Sequence, residues 1–172
     1  MKIFILLVAL AILLAYILVY NSLIRARQKA KEAWSGVDVQ LKRRHDLIPA
    51  LVEVVRAYAK HENQLLEKVA QLRRDTLLLE GQAEALGELE SKLNESLLSI
   101  FAVAENYPEL KASVNFRKLQ EELTETEDQI AAARSIYNSN VERLNSKLQS
   151  FPQNLIAGAH GFRKMDFFNF QT

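Results

Sequence analysis

The sequence predicts an all-α protein: an N-terminal transmembrane helix, then an up-and-down four-helix bundle, then a short aromatic C-terminal tail. Three observations predict it. Every residue from Ile3 to Tyr20 is apolar or aromatic. Beyond that stretch, apolar residues recur at three- and four-residue spacing in three long runs, the signature of helices with one buried face. The 172 residues include only five glycines and three prolines, and strong helix formers fill the runs between them.

The anchor comes first. About 18 residues at 1.5 Å rise cover roughly 27 Å, close to the hydrocarbon thickness of a bilayer. Tyr16 and Tyr20 stand where amphipathic rings favour the headgroup level, and Arg25, Arg27, Lys29 and Lys31 follow. The span from Ile3 therefore ends near Asn21. The stretch before these cations reads AYILVYNSL, without a small-x-small cleavage pattern, so a retained anchor is expected rather than a cleaved signal peptide. The cationic excess after the span places the soluble domain in the cytoplasm. Lys2 on the other flank leaves the opposite orientation, with the domain outside, as the alternative.

The bundle occupies residues 22–150. Its first stripe runs from Trp34 through Val37, Leu41, Ile48, Leu51, Val55, Tyr58, Leu65, Val69, Leu72 and Leu79. The second runs from Leu86 to Ala104, and the third from Phe116 to Leu148. Gly81 and Gly87 weaken helix at the first junction, and Tyr107-Pro108 breaks the second. The last long helix ends before Phe151-Pro152. Helices of about 38, 20, 25 and 40 residues return the last one to the membrane if the first stripe turns near Lys60-His61. Pro49 predicts a kink in the first helix, its broken turn relieved by Asp46 or water.

Composition excludes several function classes. Lys plus Arg number 22 and Asp plus Glu 21, well interspersed, so no net charge draws the chain to nucleic acid. Without cysteine there is no disulfide, thiolate nucleophile or cysteine zinc site. His61-Glu62 lacks the second histidine that a zinc-protease helix needs, since Leu65 stands there. No cofactor, metal or catalytic residue is expected.

Four motifs go beyond periodicity: RRHDLIP, YPELKA, TETEDQIAAAR followed by YN, and FPQNLIA. Together they closely resemble the LemA family over nearly the whole chain, anchor included. Ala50, where the family tends to carry Asn, and Leu144, where an aromatic is common, are small departures. The resemblance implies a bacterial membrane-anchored up-and-down four-helix bundle in the inner membrane. It also implies, weakly, a membrane protease or other envelope protein as partner.

Two sets of residues are singled out. Arg44 falls on the first apolar stripe, and a buried guanidinium demands a counter-charge. A buried polar network of Arg44 and Asp46 with Glu127 and Asp128, or with Glu125, is the structural reading, and a ligand site the functional one. The tail, residues 151–172, carries Phe162, Phe167, Phe168 and Phe170 beside Arg163 and Lys164. These rings need cover. A membrane-surface or inter-subunit contact is expected rather than packing on their own bundle.

The leading functional expectation is a non-enzymatic scaffold or adaptor held at the lipid bilayer, acting by self-assembly as a homo-oligomer or by partner binding. The alternatives are a regulator of a membrane protease or envelope-stress system, and a ligand or ion sensor using the network at Arg44.

Overall fold

The computed structural model describes residues 1–79 and 83–169. They form six helices in the order α1 (Lys2–Tyr58), α2 (Asn63–Leu77), α3 (Ala83–Ala104), α4 (Pro108–Ala112), α5 (Val114–Gln149) and α6 (Gln153–Ala159). No strand occurs among the described residues.

The apolar N-terminal stretch and the first bundle helix are one element, the 57 residues of α1, about 85 Å long. Its first part is long and apolar enough to cross a membrane and buries nothing within the chain, consistent with a single-pass anchor. Burial begins at Leu23 and recurs at Ala30, Val37, Arg44 and Leu51. On α5 it recurs at Phe116, Leu123, Ile130, Tyr137 and Leu144. Both series step by seven, which keeps one seam of each helix on the other. The two helices run antiparallel: Ser22 meets Lys147, Trp34 meets Tyr137 and Arg44 meets Glu127.

The turn between α1 and α2 falls at residues 59–62, around Lys60-His61. Neither Gly nor Pro marks it, but the return path of α5 requires it. α2 has 15 residues and α3 has 22, against 36 in α5. At 1.5 Å per residue these are about 22 and 33 Å beside about 54 Å, so α2 and α3 cover only the membrane-distal part of the α1–α5 pair. Ala104 ends α3, Pro108 starts α4 at its first turn, and Ser113 caps α5 by accepting from the Phe116 amide at 3.5 Å.

Two apolar cores result. The distal one joins four helices through Ile48, Leu51, Val55, Leu66, Val69, Leu93, Leu97, Ile100, Phe116 and Leu123. The proximal one has only α1, α5 and the start of α3 for walls, with Ala30, Val37, Leu41, Leu86, Ile130, Tyr137 and Val141, and its remaining side is closed by Phe168.

The chain reaches that gap after α6. Gly161, at φ 67°, supplies the left-handed turn that sends the following residues back along α5. Asn145 Nδ2 donates to the Met165 carbonyl at 2.9 Å, and its Oδ1 accepts from the Met165 amide at 3.0 Å. One heptad earlier, Asn138 does the same for Phe168 at 3.0 and 2.9 Å. Tyr137 Oη donates to the Asp166 carbonyl at 2.8 Å. Asn169 then lies on Gly87, where an added Cβ would meet its carbonyl oxygen at 2.3 Å. Gly87 is thus an interior residue of α3 that admits another backbone, not part of a helix junction; Gly81 lies outside the described residues.

This corrects the expectation for the tail. Phe168 is 0 % exposed, edge-on to Trp34 with ring centres 5.5 Å apart. It belongs to its own bundle because the neck would otherwise leave apolar side chains open, and burying one such ring is worth about 1.5–3 kcal/mol. Phe162 instead rests against Tyr20, with ring centres 6.0 Å apart. Arg163 and Phe167 are exposed, and Phe170 lies outside the described residues.

Candidate functional site

Between the two cores lies a polar belt built by RRHDLIP. Proline at position 49 has no amide proton, so the carbonyl four residues earlier, that of His45, loses its helical donor. Arg73 of α2 supplies one, its Nε donating to the His45 carbonyl at 2.7 Å. The helix runs through Pro49 unbroken. This replaces the expected relief by Asp46 or water with a donor from a neighbouring helix.

Arg44 occupies a seam position that is otherwise apolar and is 1 % exposed. Its Nη1 donates to Glu127 Oε2 of α5 at 2.5 Å, and its Nη2 donates to Glu90 Oε2 of α3. Glu90 is itself 0 % exposed, and its second oxygen meets His45 Nε2 at 2.8 Å. Thr76 of α2 stands 3.3 Å from the same nitrogen. The Thr76 hydroxyl donates to the Arg73 carbonyl at 2.9 Å, so its oxygen is left to accept. His45 Nε2 therefore carries a proton and donates to Glu90, an assignment made from the hydrogen-bond pattern. At the surface Arg43 reaches Glu125 at 3.1 Å. One motif thereby binds all four long helices.

The belt opens outward through a cleft of about 270 Å³ whose floor includes His45, Thr76 and Glu90 and whose rim includes Asp38, Lys42 and Asp46. The space suits a small polar guest that can accept from Lys42 or donate to Asp38 or Asp46 at the rim. Among the described residues, no three His, Asp or Glu side chains converge to hold a metal ion.

The predicted network is therefore corrected in part. Arg44 and Glu127 are joined as expected. Asp46 and Asp128 are exposed: on their helices they face away from the seam. Glu125 pairs with Arg43 rather than Arg44. Sequence reasoning missed Glu90 and His45. Glu90 carried the same signal that revealed Arg44, a charge in an apolar stripe, since it lies four after Leu86 and three before Leu93. Of the anchor residues, Ile3 is exposed on the apolar part of α1, Tyr16 and Tyr20 pack against His160, and Arg25 and Arg27 follow on the exposed surface of the helix.

The chain is 28% identical over 149 residues to Protein LemA of Metamycoplasma hominis, covering 87% of this chain and 66% of that protein. It is 21% identical over 175 residues to Magnetosome protein MamQ of Magnetospirillum gryphiswaldense, and 22% identical over 174 residues to Magnetosome protein MamQ 2 of Paramagnetospirillum magneticum. Each of those alignments covers 87% of this chain and 64% of the relative. The chain thus spans just under two thirds of the length of these relatives. The LemA family profile matches residues 33–172, the bundle and the tail together, and the chain belongs to the LemA family.

Proposed function

We propose that this protein is a non-enzymatic, membrane-anchored adaptor that holds a protein-binding groove at a fixed height above the bacterial inner membrane, with its helical domain in the cytoplasm. The observation that carries the reading is the groove between α1 and α2 at the distal end of the bundle. Pro49 and Val52 contribute apolar surface, and Arg56, Arg73 and Arg74 outnumber Glu53 around a space of about 560 Å³. The groove continues past Arg56 and Arg74 to Lys68 and Glu67. An amphipathic helix carrying carboxylates fits such a surface: apolar residues anchor it and charge sets its register. The partner class is an envelope protein, a membrane protease included, or a second copy of the chain.

A photo-crosslinking residue at Val52 or Ala70 in native membranes tests this. The adaptor reading expects a discrete adduct that disappears with Arg56→Glu/Arg74→Glu and is absent when the crosslinker stands at Ile136. Equal labelling at all three positions, or adducts indifferent to charge reversal, contradict it. An adduct of twice the chain mass identifies self-assembly.

The cleft over His45 and Glu90 favours a second reading, a small-ligand sensor. A ligand that enters it raises the melting temperature, and Thr76→Val abolishes that rise if the guest lies on the belt.

A further inference from the structure

Where α1 leaves the apolar stretch, it meets the end of α5. Ser22, Arg25 and Lys29 on α1 and Asn140, Arg143 and Lys147 on α5 line a cleft of about 280 Å³. The spacing on each helix is three, then four, so each set falls on one helical face. Antiparallel packing turns the two faces toward each other, and Lys147 Nζ donates to Ser22 Oγ at 2.6 Å. Among the described residues, none of the four cations forms an ion pair. Glu142, beside Arg143 in sequence, lines a separate cleft on the other flank of α5 with Asn145 and Lys164. Four like charges drawn from segments more than a hundred residues apart repel one another, and an anion among them removes that repulsion.

The height of the cleft selects the anion. Ser22 directly follows Asn21 at the end of the apolar stretch. The polar layer on each side of a bilayer is about 5–8 Å thick, and Arg25 stands roughly 6 Å beyond Asn21. Below the cleft, Leu18 is 66% exposed and Ile17 44%, leaving apolar surface on the α1 flank for acyl chains. Resting on the reading of this stretch as a membrane span, we propose that the cleft binds the phosphate of an anionic phospholipid, with Arg25 and Lys29 on one wall and Arg143 and Lys147 on the other. It differs from diffuse attraction of basic residues to the membrane because half of its charge comes from α5 and needs the folded bundle.

The test uses full-length protein in nanodiscs of phosphatidylcholine mixed with phosphatidylglycerol, followed by native mass spectrometry of the lipids that remain bound. The proposal expects preferential retention of phosphatidylglycerol. That preference falls about tenfold or more in Arg143→Gln/Lys147→Gln, and equally in Arg25→Gln/Lys29→Gln on the opposite wall. It is unchanged in Arg117→Gln/Lys118→Gln, which removes the same charge from the far end of α5. Circular dichroism confirms that each variant stays helical, and either wall suffices if the other variant fails to fold. An unchanged preference in the wall variants, or an equal loss in the distal control, overturns the proposal. Displacement of the phosphatidylglycerol by inorganic phosphate, but not by sodium chloride of equal ionic strength, assigns the cleft to free phosphate and overturns its lipid assignment. None of these outcomes depends on the distal groove.

Discussion

At the residue scale, the belt concentrates the fold's electrostatic risk in Glu90. It has essentially no access to water and relies on Arg44 and His45. Removing one partner of such a pair leaves a buried charge uncompensated, at a cost of about 3–5 kcal/mol. Arg44→Ala should therefore lower unfolding free energy by that amount in denaturant titrations of the micelle-bound protein. Arg44→Met/Glu90→Leu should lose much less than the two single changes together, and additive losses would reject the coupling. Tyr137 offers a pH test. Burial, and secondarily the charge of Asp166, raises its phenol above the ordinary value of 10.0. The neutral phenol's contribution is then fully present below the unfolded pKa and is lost as pH rises through the folded one. Wild type should lose stability above about pH 10. Tyr137→Phe should start about 1 kcal/mol lower, having lost the bond to Asp166, and decline less on alkaline titration. A parallel decline would show that the phenol has the same pKa in the folded and unfolded states.

At the element scale, the C-terminal segment substitutes for a missing helix. Asn138 and Asn145 read its backbone as a neighbouring strand would, while Met165 and Phe168 supply the apolar contact. Gly87→Ala should raise helix propensity by about 1 kcal/mol yet dislodge the tail through Asn169. Asn138→Ala should dislodge it by removing two hydrogen bonds. Hydrogen exchange checks both: the Met165 and Phe168 amides should lose protection while α5 keeps its own, and full protection in Gly87→Ala would contradict the close approach. The helices themselves were legible, because period, proline and chain-return length fix α1, α3, α5 and the turn near Lys60. The destination of Phe168 was not. It depends on α2 and α3 being too short to cover the neck, and α2 is 15 residues where the stripe suggested about 20. The recurrence of Asn at 138 and 145, two helical turns apart on one face, was the one available sign of a docked chain.

At the scale of the whole molecule, the arrangement is a rod with three levels. The lowest combines the apolar part of α1 with α6, whose Leu155 is exposed and whose following residue His160 packs against Tyr16 and Tyr20. The middle is the neck closed by the tail, and the top is the four-helix head with the α1–α2 groove. The adaptor reading and the lipid-binding proposal both depend on α1 joining these levels without a hinge, since a flexible joint at Asn21 would set neither the height of the cationic cleft nor that of the distal groove. A chain without cysteine permits site-specific labelling, so nitroxides introduced through Leu10→Cys and Glu32→Cys in nanodiscs give the most direct test by pulsed electron spin resonance. An unbroken helix predicts a single narrow distance distribution centred near 33 Å, allowing for the label arms. A broad distribution, or a dominant population many ångströms shorter, would contradict it.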